Sequence, residues 1–221
     1  MPRPDDLQRM YEIRFGAQAR AEKAAVWKVV VERYLQRWVR PEDRVLDVGC
    51  GMGEFLNHLR CAHRIGIDLN PAMRASLDAA IEFHVGDVRD LSFLPDGSLD
   101  FVFTSNLLEH LLSKPDVEKL LGEVARVLRS GGHVVLMGPN LRFLPDTYWD
   151  FWDHLVPITD RSLVEALELT GFETIDCHPQ FLPYTTRSSL PKAPWLVRLY
   201  LAIPLAWRFL GGQFLIRARK P

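Results

Sequence analysis

The stretch VLDVGCGMGEF, Val45–Phe55, decides the fold of this 221-residue chain. A short apolar run, typical of a buried β-strand, is followed at once by glycines at alternate positions, Gly49, Gly51 and Gly53. Glycine lets the backbone adopt conformations that other residues avoid and lets a ligand approach the main chain closely. The stretch therefore predicts a strand that ends in a ligand-binding loop.

The rest of the chain alternates between strand-like and helix-like segments. Two helices are predicted within residues 5–39, the second over 21–39 with an amphipathic apolar stripe. Later helices are predicted over residues 71–80, 115–128 and 160–171. Strands are predicted within 41–50 and over 64–69, 81–87, 99–106, 133–140, 172–178 and 212–220, with SGG at 130–132 ending the helix before residue 133.

This alternation, with continuous Val, Ile, Leu and Phe runs, indicates an α/β protein with a parallel sheet covered by helices on both faces. Ligands bind such sheets at the carboxyl ends of the strands. We therefore expect the loops after Val48, Ile67, Val85 and Thr104 to line the site.

Composition indicates one globular domain over residues 1–221, because 48% of the residues are hydrophobic and 25% are charged. Three cysteines without a CxxC pair predict reduced thiols, a cytoplasmic location and no zinc or other metal site. The acidic, polar start MPRPDDLQRM does not resemble a signal peptide. No uncharged apolar run reaches the roughly 18 residues of a transmembrane helix.

Charge is distributed unevenly along the chain. From Cys177 to Pro221 there are seven basic residues and no acid, a net charge of +7. Residues 1–176 carry 20 basic and 28 acidic residues, a net charge of −8. Opposed halves of this kind predict an anionic partner for the C-terminal part.

Two ligand classes use a glycine loop after the first strand. Dinucleotide-binding folds space their glycines as G-x-G-x-x-G around a pyrophosphate. Here the third position of that pattern is Glu54, whose carboxylate would repel a pyrophosphate. Asp68, at the end of the next strand, suits a ribose diol in either class, since a carboxylate accepts two hydroxyl hydrogens.

The acids near the predicted strand ends favour a cationic ligand. They are Asp47, Glu54, Asp68 and Asp87. S-adenosylmethionine (SAM) has a sulfonium, an ammonium and one carboxylate, so its net charge is about +1. The glycine loop, Asp68 and the GD pair at 86–87, in that order on successive strands, therefore predict SAM rather than a dinucleotide.

Five motifs occur in the order that a known family shows. They are LDVGCGMGEF, IGIDLNP, GDVRDL, LDFVFTSNLLEHL and VLRSGGHVVLMGPN, and they cover Val45 to Asn140. The chain resembles a class I SAM-dependent methyltransferase of the broad small-molecule group often called type 11. The resemblance implies a Rossmann-like, mostly parallel sheet of seven strands whose last strand, over 213–220, inserts antiparallel.

The resemblance also implies cofactor-binding roles. Asp47 and the backbone of Gly49, Cys50 and Gly51 are implied to hold the methionine end of SAM. On the following strands, residues are implied to bind the rest of the cofactor: Asp68 at the ribose, Asp87 and the Val88 N–H at the adenine, and Asn106 beside the methyl group. Gly53 and Leu69 complete the set of expected cofactor-binding residues. Without a local base, Cys50 is expected to pack rather than to act as a nucleophile.

The N-terminal segment, residues 1–40, is predicted to form a helical cap. Tyr11 and Arg14 are candidates to reach the SAM carboxylate if this segment folds over the cofactor. An ordinary helix that packs on the sheet is the alternative.

Two histidines are candidate catalytic bases. A hydroxyl acceptor usually needs a base, whereas a carboxylate acceptor does not. His110 is predicted in the first turn of the helix after strand four, and His154 in an acceptor-side loop over residues 141–160. Structural hydrogen bonding is the alternative role for both.

The acceptor-side loop is rich in aromatic and acidic residues. Aromatic rings stack on the apolar faces of sugars, and carboxylates bond their hydroxyls. The alternative is a surface loop that buried aromatic side chains hold in place. The loop and the segment FLPYTTRSSLP also resemble methyltransferases of bacterial polysaccharide and glycolipid gene groups. We therefore expect O-methylation of a small-molecule, glycan or lipid-linked acceptor. The residues concerned are Asp146, Tyr148, Trp149, Asp150, Phe151, Trp152 and Asp153.

An apolar, basic insertion over residues 187–212 precedes the last strand. Between Pro194 and Gly212 only Arg198 and Arg208 are charged, and Pro204 is expected to kink the segment. The segment predicts peripheral contact with the inner face of a membrane, the alternative being a helical hairpin packed on the protein's own core or on a second subunit.

Two other functions remain open from the sequence. One is methylation of RNA or protein, although the tail is rich in Leu, Trp and Phe rather than in spaced basic residues, which disfavours nucleic acid. The other is a SAM-binding, membrane-associated protein without turnover. The oligomeric state is left open.

Overall fold

A computed structural model describes residues 17–184 and 193–221. Its seven strands form one sheet in the order β3-β2-β1-β4-β5-β7-β6. The pairs β1–β2, β2–β3 and β4–β5 are parallel, and β7 is antiparallel to both of its neighbours. The predicted fold class, with an antiparallel last strand, is confirmed. The strands are β1 Arg44–Val48, β2 His63–Asp68, β3 Glu82–Val85, β4 Leu99–Ser105, β5 Leu128–Pro139, β6 Glu173–Leu182 and β7 Gln213–Arg219.

Five α-helices accompany the sheet in the described part of the chain. They are α1 Ala17–Arg33, α2 Lys114–Val127, α3 Asp160–Leu169, α4 Pro194–Ala202 and α5 Pro204–Leu210. The chain divides into two compact units. As far as it is described, the first unit has β1–β3 with α1 and α4, and the second has β4–β7 with the other helices.

The core of the first unit confirms buried parallel strands. In β1, Val45, Leu46 and Val48 are inaccessible to solvent. Ile65 and Ile67 of β2 are almost completely buried beside them. Successive side chains point to opposite faces of a strand, so a run buried at every position needs cover on both faces.

The helix predicted over residues 21–39 ends earlier, at Arg33. Tyr34 leaves the helical conformation with φ −126° and ψ −57°, and a 3₁₀ turn, Leu35–Trp38, follows. The Arg37 guanidinium lies 3.7 Å from the centre of the Tyr34 ring, a cation–π contact that accompanies this turn. Tyr11 and Arg14 lie outside the described residues.

The prediction of a helix over residues 71–80 is wrong. A 3₁₀ helix, Pro71–Ser76, takes its place. The Arg74 guanidinium donates to the carbonyls of Asp78 and Ile81, and the Asp78 N–H donates to the Asn57 side chain. Because side chains take up these backbone groups, the chain does not need helical bonds beyond residue 76.

The SGG at 130–132 does not separate helix from strand as predicted. β5 begins at Leu128, directly after α2, and Gly131 lies within it at φ 76°. The Gly131 N–H donates to the Lys220 carbonyl and the Lys220 N–H to the Gly132 carbonyl. The glycines therefore let the start of β5 pair with the end of the chain.

The segment before β7 forms two helices interrupted at proline, as the predicted kink required. α4 ends at Ala202 and α5 begins at Pro204, with the Ile203 N–H bonded to the Tyr200 carbonyl. Proline lacks an N–H and excludes the residue before it from the helical region. Within residues 17–184 and 193–221, no helix combines the length and the apolar character needed to cross a membrane. Residues 187–192 of the predicted insertion lie outside the described part.

Candidate functional site

The glycine loop after β1 has the backbone conformation that the sequence indicated. Gly49, Gly51 and Gly53 have φ values of 72°, 50° and 77°, in the left-handed region. At Gly53, an added Cβ would lie 2.4 Å from Leu77 Cδ2 and 2.8 Å from Asn57 Nδ2. A larger residue there would be strained and would push its neighbours away.

Hydrogen bonds fix this loop to the end of β2. The N–H groups of Gly49 and Cys50 donate to the Ile67 carbonyl, at 2.9 and 3.1 Å. The Asp68 carboxylate accepts from the Gly51 N–H at 2.9 Å and, through its other oxygen, from the Asn70 N–H at 2.8 Å. A carboxylate has about four acceptor positions and the backbone N–H groups here do not fill them all, so Asp68 retains the capacity to accept from a ligand hydroxyl.

Burial and neighbouring acids raise the pKa of two carboxyl groups in and beside the loop, Asp47 and Asp68. Burial raises the pKa of Asp47 well above its ordinary value, and the charges of Glu54 and Asp68 raise it further. Burial also raises the pKa of Asp68, and Glu54 adds to that shift. Glu54 has one cation beside it, since Lys23 Nζ lies 2.7 Å from Glu54 Oε1. The potential at the loop is therefore negative and favours a cationic ligand.

We call Asp47, Gly49–Gly53, Glu54 and Asp68 the cofactor cradle. These residues fit SAM, because the bare loop admits a ligand, the acids favour the sulfonium and ammonium charges, and Asp68 suits a ribose diol.

Cys50 packs inside the cofactor cradle. Its side chain is buried, and a Cβ added to Gly66 would lie 2.8 Å from Cys50 Sγ. Burial and then the charges of Asp47 and Asp68 raise the pKa of this thiol far above its ordinary value. A thiol that stays protonated is a poor nucleophile, so the expected packing role is supported.

The residues predicted to bind adenine follow β3. The Gly86 N–H donates to the Asp68 carbonyl at 3.1 Å, which joins the loop after β3 to the end of β2. In that loop Asp87 is half-buried and Val88 is buried, while Leu69 is half-buried next to Asp68. Their contacts with SAM stay predictions.

Asn106, in the second unit, directly follows β4. It has φ 51°, a left-handed conformation that asparagine tolerates better than most residues. Its N–H donates to the Met137 carbonyl at 2.9 Å and its side-chain amide to Ser105 Oγ at 2.8 Å. The predicted place beside the methyl group stays a prediction.

The second unit brings both candidate histidines into one group with two acids. We call Glu109, His110, Asp153 and His154 the histidine cluster. His110 Nδ1 lies 3.1 Å from a carboxylate oxygen of Asp153 and 3.1 Å from the Asp153 carbonyl. Its Nε2 lies 3.9 Å from Glu109 Oε1, and its ring centre lies 4.9 Å from that of His154. The prediction that His110 lies in a helical first turn is wrong, because it ends the 3₁₀ turn Leu108–His110 and α2 begins only at Lys114.

A buried tyrosine anchors the acceptor-side loop. The Tyr148 hydroxyl donates to the Val156 carbonyl at 2.6 Å and accepts from the Ile158 N–H at 3.0 Å. The N–H groups of Leu155 and Val156 donate to the Glu109 carbonyl. These bonds hold the loop against the turn that carries His110, although the two segments are far apart in sequence.

The two histidines differ in exposure and in contacts. His154 is 4% exposed, and its ring stacks on Phe151 and meets Tyr148 edge-on. The His110 side chain is 27% exposed. Of the two, His110 is the one that solvent or an acceptor can reach.

Charge in the histidine cluster is internally compensated. Burial raises the pKa of Glu109, and the nearby His110 only partly offsets this. Burial by itself lowers the pKa of His110, but the hydrogen bond that its ring donates to Asp153 and the charges of Glu109 and Asp153 outweigh it, so the net shift is upward. The acids therefore favour a protonated imidazole.

Glu109, His110 and His154 offer possible metal-ligand atoms within 4.8 Å of one another. Ligands about 2.0–2.1 Å from a tetrahedral ion lie about 3.4 Å apart. The 3.9 Å between His110 Nε2 and Glu109 Oε1 is longer than that. A carboxylate that orients an imidazole, as Asp153 orients His110, occurs in acid–base sites and in metal sites alike, and chelation is the measurement that separates the two.

Sequence reasoning missed two residues of these sites. Asn70 ties Asp68 in place through its N–H, and its side chain caps the following 3₁₀ helix by accepting from the Ala72 N–H. The Asn-Pro pair at 70–71 was the available signal for this cap. Glu109 was quoted only within a motif, and nothing local indicated that its side chain would be buried beside histidines.

Comparison with known proteins gives a consistent result. Residues 46–136 match a family profile described as a methyltransferase domain. The chain is 33% identical over 105 residues to ajmaline N-methyltransferase of Rauvolfia serpentina, covering 42% of this chain and 35% of the relative. It is 32% identical over 157 residues to a probable S-adenosylmethionine-dependent methyltransferase of Mycolicibacterium smegmatis, covering 67% of this chain and 58% of the relative. The chain thus spans less than two thirds of the length of these curated relatives.

Solved structures support the same fold. The crystal structure of a SAM dependent methyltransferase from Archaeoglobus fulgidus has a TM-score of 0.65 and 24% identity, covering 87% of this chain and 92% of that one. At that identity the likeness shows the fold alone. The matched domain and the related sequences agree with the family that the ordered motifs indicated. Residues 46–136 form a methyltransferase domain of the class I, SAM-dependent kind.

Proposed function

We propose that this protein transfers the methyl group of SAM to a hydroxyl oxygen of a small-molecule, glycan or lipid-linked acceptor. The observation that carries the SAM part is the cofactor cradle, where burial and repulsion from Glu54 raise the pKa of Asp47 and Asp68 beside a glycine loop. A cationic cofactor relieves this repulsion, whereas a dinucleotide pyrophosphate would add to it.

The reaction asks the protein mainly for positioning. When bound, SAM supplies an electrophilic methyl group on a neutral leaving group. The bond from the acceptor oxygen to the methyl carbon forms as the bond from sulfur breaks, and the acceptor's proton must go to a base. Holding the reactants in line can supply up to about 7–11 kcal/mol of the barrier reduction.

His110 is the proposed base. Its Nδ1 faces Asp153, so the neutral ring donates Nδ1–H to that carboxylate and has its lone pair on Nε2. Asp153 then stabilises the imidazolium that forms when Nε2 takes the proton. The buried His154 is better suited to hold the position of the His110 ring than to meet an acceptor.

The acceptor-side loop supports a glycan or another hydroxyl-rich acceptor. Trp152 is 93% exposed and Trp149 is 52% exposed, with the exposed acids Asp146 and Asp150 in the same loop. Exposed indole faces and carboxylates suit sugar rings, which have apolar C–H faces and hydroxyl rims. One relative is named as an N-methyltransferase, so the choice of oxygen here depends on the His110–Asp153 pair.

The test uses SAM labelled in its methyl group and fractionated extract of the native host. Wild-type protein should label a glycan or glycolipid fraction, and Asp68→Ala protein, which lacks the ribose-binding carboxylate, should not. Glu118→Ala, which removes an exposed acid on α2, is the matched control and should label as the wild type does.

Other label distributions would contradict the proposal in different ways. Label only in RNA or in protein would assign another acceptor class. SAM binding by calorimetry without label in any fraction would assign a binding protein without turnover.

A further inference from the structure

Large exposed apolar side chains are concentrated in α4 and α5. In the described part of the chain, 13 large apolar side chains are exposed, and six of them fall within the 17 residues from Pro194 to Leu210. A concentration of this kind marks a surface that another body covers. The six are Trp195, Leu199, Ile203, Leu205, Phe209 and Leu210.

In α4 the exposed residues follow helical spacing. Trp195, Leu199 and Ile203, just past the helix end, recur every four residues, which places them on one face. Leu201 is buried, and α4 packs against α1. One face of α4 therefore packs on its own unit, and another face exposes an apolar stripe to solvent.

α5 repeats this arrangement in the second unit. Trp207 is buried, with ring centres 5.0 Å from Phe181 and 5.3 Å from His178. Leu205 and Phe209, four residues apart, are 61% and 77% exposed. The expected alternative of a hairpin packed on the protein's own core thus holds for Leu201 and Trp207 but not for the stripes.

The charged residues within α4 and α5 are both positive. Arg198 is exposed next to Leu199, and Arg208 is exposed next to Phe209. The sequence from Cys177 to Pro221 contains no acid. Arginine and lysine with tryptophan and tyrosine beside apolar residues are typical of helices that lie in a membrane interface.

We propose that α4, in the first unit, and α5, in the second, each dock by their apolar stripe on the surface of an anionic lipid membrane. A second copy of the chain is disfavoured as the occupant, because a two-fold contact would place the arginine of each helix near the same arginine of the other copy. Anionic headgroups complement the arginines, and acyl chains receive the apolar stripes. With nine and seven residues, the helices are far shorter than the about 20 residues that a span requires.

The docking deepens the proposed function, because it brings the protein to the surface where lipid-linked acceptors lie. It rests on the proposed function only for that purpose. Vesicle binding needs no SAM and no acceptor, so a failure of docking and a failure of methyl transfer are separately visible.

Flotation of the full chain with vesicles tests the proposal. Protein should float with vesicles of phosphatidylcholine and phosphatidylglycerol at low salt and stay at the bottom with phosphatidylcholine alone. High salt should reduce flotation, since it screens the exposed arginines. The double variant Leu205→Ser/Phe209→Ser should lower the vesicle-bound fraction about tenfold or more, because two apolar side chains no longer enter the bilayer.

Matched variants separate docking from general surface effects. Leu169→Ser on α3 removes a side chain that is 79% exposed elsewhere, and it should float as the wild type does. Arg198→Glu/Arg208→Glu should abolish the preference for anionic lipid, whereas Arg20→Glu, at an exposed position of α1, should not.

Three outcomes would overturn the proposal. The first is wild-type protein that stays at the bottom with anionic vesicles at low salt. The second is equal loss of flotation in the Leu169→Ser and Leu205→Ser/Phe209→Ser proteins. The third is a dimer in size-exclusion chromatography that the double serine variant converts to monomer, which would assign the stripes to a second copy.

Discussion

The cofactor cradle and the histidine cluster both contain buried carboxylates, and the charged neighbours of these carboxylates differ. In the cofactor cradle, the charges that shift the pKa of Asp47 are Glu54 and Asp68, both acids. In the histidine cluster, the fully buried Glu109 lies beside His110, whose pKa is raised in turn. Carboxylates thus lie close to other acids in the cofactor cradle, whereas in the histidine cluster they lie beside a histidine that can balance their charge.

The difference indicates where positive charge comes from at each site. A cradle whose acids repel one another is completed by the charge of a ligand. A cluster that holds its own imidazole can bind and release a proton without a ligand. The first arrangement suits cofactor binding and the second suits acid–base catalysis.

Removal of the Asp68 side chain should have the largest effect. The effect should be on SAM binding at the cofactor cradle and not on the histidine cluster. Asp68→Ala removes the carboxylate that we expect to accept two charge-assisted hydrogen bonds from the ribose, each about 1.5–3 kcal/mol, so SAM affinity should fall at least about a hundredfold. Calorimetry measures this, with circular dichroism to show that the variant is folded. Unchanged affinity in folded protein would refute the assignment, and tight NADH binding by the wild type would restore the dinucleotide alternative.

Removal of the His110 side chain should affect turnover through the histidine cluster and leave the cofactor cradle unchanged. His110→Ala deletes the proposed base, so turnover should fall about 10²–10⁴-fold while SAM affinity is retained. His63→Ala, which removes an exposed imidazole on β2, is the matched control. A chelator should leave wild-type turnover unchanged, whereas loss of activity on chelation would assign the cluster to a metal.

His154→Ala separates ring packing from proton transfer. Its ring is buried against Phe151 and Tyr148, so the variant should lose about 3 kcal/mol of unfolding free energy in urea denaturation. If His110→Ala and folded His154→Ala both keep full turnover, the acceptor needs no side-chain base, as a carboxylate would not.

Replacing Asp153 should shift a pH profile by a smaller amount. A base acts when neutral, so the raised pKa of His110 places the acidic limb of kcat/KM above the ordinary value of 6.5. Asp153→Asn removes a bond and a charge that raise this pKa, while burial, which lowers it, persists. Glu109 and His154 still face the His110 ring in this variant. The net pKa of His110 should therefore fall, and the acidic limb of the kcat/KM profile should move to lower pH. Asp150→Asn in the same loop is the control, and an unmoved limb in Asp153→Asn would show that Asp153 does not act on the base.

The smallest effect is expected on stability, from Asp47. Its pKa is raised above 3.8 in the folded protein, so the folded state binds this proton more tightly than the unfolded state does. Stability from this group is therefore complete below about pH 3.8 and is lost as the pH rises through the folded pKa.

Asp47→Asn removes that loss and should stabilise the SAM-free protein at neutral pH by about 1 kcal/mol, while weakening SAM binding. Urea denaturation across pH measures the stability, with Glu118→Gln as the control. A variant that is less stable than the wild type at neutral pH would show that the Asp47 charge is already compensated in the empty cradle.

The sequence alone determined the fold class and the cofactor cradle. Glycines at positive φ, continuous buried strands and an acid at the end of β2 are encoded within short segments. Their patterns depend on backbone sterics and on side-chain period, so they can be read before the chain is folded.

Secondary-structure predictions from local sequence patterns were wrong where groups distant along the chain form hydrogen bonds with the backbone. The helix predicted over 71–80 shortened because Arg74 and Asn57 bind the backbone beyond residue 76. The glycines at 131–132 became part of β5 because Lys220, at the far end of the chain, pairs with them.

The tertiary structure alone decided the histidine cluster and the exposed stripes. Asp153 is 43 residues from His110 in sequence, and only the anchored loop brings them together. Likewise, composition marked the segment from Pro194 to Gly212 as apolar, but packing determined that Leu201 and Trp207 are buried while Leu205 and Phe209 are exposed. The physical reason is that burial and charge compensation depend on long-range contacts, which no single stretch of sequence contains.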